Sequence, residues 1–142
     1  MNDIVSSIVS WPDKQTELMS VRRAVFVEEQ NVPDDIELDG RDSECFHVLA
    51  SDTNGKPIGT ARMDEKGKIG RMAVLREYRR RGVGRDILRA IMDFGRFRGI
   101  TDFHLSAQVG AIRFYEKMGF EPYGGQFEEA GIMHVHMRLR KS

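Results

Sequence analysis

Apolar and polar positions change period several times along the chain, and each change marks an element. Residues 4–11 are short, apolar and rich in β-branched side chains, which predicts a strand. Pro12-Asp13 predicts a turn and a helix N-cap. Leu18, Val21, Arg22, Val25 and Phe26 then recur at helical spacing, so a helix is expected over about 14–27. Residues 31–44 have no clear period, hold Pro33 and Gly40, and are acidic; they predict a loop with at most one short helical turn.

From residue 46 the period shortens to two. Strands are expected at 46–51, 57–63 and 68–75, separated by turn signals at Asn54-Gly55 and Lys66-Gly67. Three strands joined by tight turns make an antiparallel meander. Val83, Ile87, Leu88, Ile91, Met92 and Phe94 then share one face of a helix that opens at Gly82 and ends near Gly99. A strand over 102–107 and a short helix over 111–118 follow, and Gly119 ends that helix. Two last strands cover 120–127 and 132–140. In the second, Ile132, His134, His136, Arg138 and Arg140 alternate with Met133, Val135, Met137 and Leu139. The order β-α-β-β-β-α-β-α-β-β predicts an α/β fold with a mixed, mostly antiparallel sheet flanked by helices. No repeat or linker divides residues 1–142, so one domain is expected.

Composition narrows the function. The 142 residues balance 22 Lys and Arg against 22 Asp and Glu. Nothing global therefore draws the chain to nucleic acid or to an anionic membrane, and neither is expected as a partner. The sequence shows no leader and no apolar run of membrane-spanning length. Cys45 stands alone, so no internal disulfide can form, which suits a reducing, cytoplasmic setting. It is open whether Cys45 is a nucleophile or a half-buried structural thiol. His104, His134 and His136 lack Cys or carboxylate companions at ligand spacing, so no metal is expected.

The segment Ile69-Gly-Arg-Met-Ala-Val-Leu-Arg-Glu-Tyr-Arg-Arg-Arg-Gly-Val-Gly84 carries the clearest chemistry. A strand runs through a turn into a long helix, whose first N–H groups are unpaired and attract anions. Gly82 and Gly84 let a phosphate approach the backbone, Val83 included, and Arg79, Arg80 and Arg81 add charge. The third glycine of a dinucleotide fingerprint is replaced by Ile87, and no P-loop Lys-Ser/Thr pair follows.

Here the sequence resembles the GNAT superfamily of acyltransferases. The family's phosphate signature, Gln/Arg-x-x-Gly-x-Gly/Ala, reads Arg79-Arg-Arg-Gly82-Val-Gly84. Its F-Y-x-x-x-G-F motif reads Phe114-Tyr-Glu-Lys-Met-Gly-Phe120. The run from Arg22 to Pro33, the pair Glu37 and Asp39 ahead of His47, and Ala130-Gly-Ile-Met-His134 are similar to a bacterial subgroup of small GNAT proteins. Many members of that subgroup have no assigned substrate.

The resemblance implies an N-acetyltransferase that moves the acetyl group of acetyl-CoA (CoA) to an amine, on a small molecule or a peptide, by direct transfer in a ternary complex. It implies that strand 71–75 splays from strand 102–107, that Met72 and Val74 pair with pantetheine, and that an N–H near Met72 or Ala73 faces the thioester oxygen. Tyr115 would protonate the leaving thiolate, and Gln108 would bond the cofactor or an ordered water. Glu29 and His134 are the two candidate general bases, with an ordered-water relay as the alternative to both. The acidic run from Asp34 to Glu44 is either a solvated loop or a mouth that attracts a cationic amine. The rival function is a non-catalytic acyl-CoA sensor. Edge strands near the C-terminus leave room for a homodimer.

Overall fold

The computed structural model describes residues 4–140; residues 1–3 and 141–142, the ends of the expected domain, lie outside them. In chain order, β1 (Val5–Val9) leads into α1 (Trp11–Arg22), which continues as a π-helical segment, Arg23–Glu29. After α2 (Asp34–Glu37) come β2 (Phe46–Ser51), β3 (Pro57–Met63) and β4 (Lys68–Val74). Then follow α3 (Val83–Phe97), β5 (His104–Gln108), α4 (Ile112–Lys117), β6 (Phe120–Glu129) and β7 (Ile132–Leu139).

The first helix departs most from its expected bounds. Ser10 is its N-cap, accepting the Asp13 N–H at 3.3 Å, so Trp11 belongs to the helix rather than to the strand. Pro12 fits in that first turn because its missing N–H would have no partner there. At the other end the helix widens: the Gln30 N–H reaches the Val25 carbonyl at 3.1 Å, an i→i+5 bond. Apolar spacing cannot anticipate such widening, since it alters which face each later side chain leaves from.

The strands form one sheet in the order β1-β2-β3-β4-β5-β7-β6. β1 to β4 pair antiparallel, and for β2, β3 and β4 the turn signals predict this. β4 and β5 are parallel and meet only at Lys68–His104 and Ile69–Leu105. Beyond those pairs the two strands part. On its other edge β4 carries a bulge: Thr60 pairs with Ala73 and Arg62 with Gly70, so Arg71 and Met72 face the single residue Ala61. Arg71 sits at φ 49, a left-handed conformation that costs energy for a residue with a β-carbon.

Both faces of the sheet are covered. α3 and α4 bury the main core, with Val83, Ile87, Leu88, Ile91, Met92 and Tyr115 against Ile58, Ile69, Leu105, Phe120, Val135 and Met137 of the sheet. Gly95 is also buried in α3, because the Phe103 ring lies 2.7 Å from where a β-carbon would stand. On the opposite face a smaller cluster joins Val21 and Val25 to Ala73 of β4. β4 is therefore packed from both sides up to the point where it leaves β5.

Candidate active site

The divergence of β4 from β5 opens a cavity of about 450 Å³. Its walls come from the π-helical segment and the acidic run, from β4 and β5, from α4, and from the turn into β7. One end is charged and the other carries the candidate reactive groups.

At the charged end, two members of the acidic run are withdrawn from solvent, while Asp34, Asp39 and Glu44 stay exposed. Glu37 and Asp42 are 2% and 3% exposed. Arg22, on the apolar face of α1 and fully buried, donates through Nε to Glu37 and through Nη1 to Asp42 at 2.7 Å. Arg62 of β3 bonds Asp42 at 3.0 Å and also Asp39. Arg71 donates to the Glu37 carbonyl at 3.0 and 3.2 Å. The hydrogen bond from Arg62 holds the Asp39 carboxyl far below the usual range. For Asp42 burial pushes the other way, but the bonds from Arg22 and Arg62 prevail and lower it. His47, 1% exposed, donates through Nε2 to the Asp42 carbonyl at 2.8 Å and stacks on Trp11. Burial lowers the pKa of that ring, which favours its neutral form. Glu37 and Asp39 line the cavity, so part of the acidic run does form its mouth.

Cys45, distant in sequence from both motifs, also lines this end. Burial pushes its thiol up, away from the thiolate that nucleophilic attack requires.

At the reactive end, Met72, Gln108, Tyr115 and His134 line the same cavity. Tyr115 is 9% exposed, and among the described residues its hydroxyl reaches only the Met72 thioether, at 3.5 Å. Burial pushes its phenol up to about 12, so it is a proton donor at neutral pH. Gln108 and His134 are register partners on β5 and β7. His134 donates from Nδ1 to the Ile132 carbonyl at 2.7 Å, which leaves the Nε2 lone pair available in the neutral ring. Among the described residues no group of three or more His, Cys, Asp or Glu could hold a metal ion.

The turn between β4 and α3 holds the remaining predicted residues. Gly82 is the N-cap of α3 at φ 80, and no side chain caps the helix there. Arg80, at φ 65, also lies in the left-handed region. Two such residues close together curl the backbone so that successive N–H groups converge, a shape that cradles anions. Val83 is buried as the first residue of α3. A β-carbon on Gly84 would lie 3.4 Å from the Phe114 ring and 3.6 Å from the Met72 methyl, so this glycine brings both motifs together. Arg81 lies over the Tyr78 ring.

Arg79 points back toward the sheet. Its Nε donates to the Val74 carbonyl at 2.9 Å, and its two terminal nitrogens grip Glu29 at 2.7 and 2.8 Å. The Arg79 hydrogen bonds hold the Glu29 carboxyl below its usual range. Ala73 is buried beneath the first helix, and Val74 is half-buried at the strand's end.

The sequence pattern of the acetyltransferase (GNAT) domain matches residues 12–141. The chain belongs to this GNAT acetyltransferase family. It is 39% identical over 121 residues to the uncharacterized N-acetyltransferase YjcF of Bacillus subtilis, covering 82% of this chain and 86% of that protein. The crystal structure of Escherichia coli ElaA superposes with a TM-score of 0.84 at 27% identity, over 96% of this chain and 99% of ElaA. An acyl-CoA N-acyltransferase from Pseudomonas aeruginosa does so at 0.83 and 27%, with the same coverage. GNAT membership supports acyl transfer in general for this chain. No helix among the described residues is long and apolar enough to cross a membrane.

Sequence reasoning missed Arg62, Arg71 and the buried roles of Glu37 and Asp42. Arg22 did leave a signal, since a charged residue on an apolar helical face must find a buried partner.

Proposed function

We propose that the protein is an N-acetyltransferase that passes the acetyl group of acetyl-CoA directly to an amine, on a small molecule or a peptide, in the cytoplasm. The observation that carries this reading is the gap between β4 and β5. It leaves the β4 backbone beyond Ile69 without a β5 partner, and it opens onto a cavity holding Tyr115 and His134. A pantetheine arm can pair with that free edge through Met72 and Val74, as an added strand would. The curled backbone at Gly82, Val83 and Gly84 takes the diphosphate, with Arg80 and Arg81 as neighbouring charges. A donor N–H at Met72 or Ala73, beside the bulge, stabilises the oxyanion.

His134 is the general base. Its Nε2 lone pair accepts the amine proton as nitrogen attacks the thioester carbon. Glu29 is poorly suited to that task, because Arg79 holds its carboxylate in the ionised form and lowers its basicity. The C–S bond then breaks, and sulfur leaves as a thiolate beside the Tyr115 hydroxyl. A phenol pushed up to about 12 transfers its proton uphill to a thiolate. Tyr115 therefore acts first as a hydrogen-bond donor to the developing charge. Gln108 orients the donor or a bound water.

The test is a panel of amines incubated with acetyl-CoA, reading free thiol release and identifying the acetylated product by mass spectrometry. Turnover on a subset of amines is expected. Tight CoA binding with no turnover on any amine would replace the enzyme with an acyl-CoA sensor.

A further inference from the structure

Two consecutive residues at the end of the π-helical segment reach the two parted strands. Glu29 grips Arg79, whose Nε bonds the carbonyl of Val74, the last residue of β4. Gln30 and Gln108, the last residue of β5, exchange amide bonds: Gln108 Nε2 donates to Gln30 Oε1 at 2.9 Å, and Gln30 Nε2 donates to Gln108 Oε1 at 3.4 Å. No backbone ladder joins β4 and β5 beyond Ile69 and Leu105. These two side-chain bridges thus tie both lips of the gap to one helix end.

The local structure explains how neighbours can do this. Consecutive side chains on a helix leave in different directions, so adjacent residues can address separate strands. The i→i+5 widening just before them, seen in the Gln30 to Val25 bond, sets their orientation. Gln30 and Gln108 both line the cavity.

We propose that Glu29 and Gln30 form a clasp across the open end of the β4–β5 gap, closing over the pantetheine arm of the donor and setting the width of its channel. This rests on the acyl-CoA reading above. Both are positioning residues: Glu29 acts through Arg79 on the end of β4, and Gln30 acts through Gln108 on the end of β5. The Val74 carbonyl has two lone pairs, so the bond from Arg79 leaves one for the pantetheine amide. A clasp that only anchored the helix would affect every ligand alike. One that closes over the arm distinguishes ligands that have an arm from those that do not.

The experiment compares CoA with adenosine 3′,5′-diphosphate, which lacks pantetheine, by calorimetry and by stopped-flow dissociation from the full chain. Gln30→Ala and Gln108→Ala should each speed CoA release about tenfold, the scale of one lost hydrogen bond. Affinity for adenosine 3′,5′-diphosphate should stay within about twofold. The double variant should be no worse than Gln108→Ala alone, because both substitutions remove the same bridge. Glu29→Gln should raise KM for acetyl-CoA while the pH profile of kcat keeps its acid limb.

Unchanged CoA release in folded Gln30→Ala and Gln108→Ala proteins would overturn the clasp, as would equal weakening of both ligands. Loss of the acid limb in Glu29→Gln would make Glu29 the base and also overturn it. If the unmodified protein binds no CoA at all, the acyl-CoA reading fails first and the clasp falls with it.

Discussion

The two ends of the cavity solve opposite problems. At the charged end, Arg22, Arg62 and Arg71 face Glu37, Asp39 and Asp42, each cation with a hydrogen-bonded acceptor. At the reactive end, the Tyr115 hydroxyl has only a long bond to a thioether, and His134 uses one ring nitrogen and leaves the other free. Paired buried charges lock one arrangement, since losing any partner strands a charge in low dielectric. Groups left with spare hydrogen-bonding capacity can take a ligand without first breaking a strong bond. On the proposed reading, the difference separates a wall that holds the shape of the cavity from a surface that completes its bonds with substrate.

The most severe way to break this contrast is Arg22→Ala. It leaves Glu37 and Asp42 buried without their main partner, and about 3–5 kcal/mol of stability should go. Chemical denaturation should show the loss as a lower midpoint, since a few kcal/mol is a large share of a domain's total stability. A variant that melts like the parent would mean that the wall is not held by these charges.

Tyr115→Phe probes the other end. The ring still packs against Phe114 and Phe120, so the fold and CoA affinity should hold. kcat should drop by roughly a hundredfold, the usual contribution of a positioned acid group. A donor with a better thiolate leaving group should recover part of the rate. Near-normal kcat on a true acceptor would remove Tyr115 from the chemistry.

Acid should loosen the charged end first. Asp39 and Asp42 are depressed in the folded protein, so their contribution is complete above the unfolded value of about 3.9 and is lost as pH falls below it. His47 is also depressed, so its share is complete above about 6.5 and declines as pH falls from there. Tm measured from pH 7 downward should therefore fall gently below about 6.5 and steeply below about 4. A flat curve to pH 3 would show that these shifts are absent.

Cys45→Ala should have the smallest effect. The thiol lines the wall but is pushed toward its neutral form, and direct transfer needs no acyl-enzyme. Activity should stay near that of the parent. An acetyl group trapped on Cys45 during turnover, seen by mass spectrometry, would contradict direct transfer.

Strand and helix order, the meander, the apolar face of α3 and the glycine turn at 82–84 were all legible in the sequence, because each rests on local period or on backbone freedom. Residues near in sequence decide such features, and the burial of Val83, Ile87, Leu88, Ile91 and Met92 follows from spacing alone. Both motifs of the candidate site were visible for the same reason. The acidic run was not, because its meaning depends on Arg22, Arg62 and Arg71, which three separate elements bring to it. Arg79 and Glu29 likewise looked like a phosphate ligand and a base, and only the fold turned them toward each other. Local pattern determined which residues could form the elements and the turn. Tertiary structure decided which charges are neutralised and which groups remain free to act, since a charge's behaviour depends on partners and burial that no stretch of sequence contains.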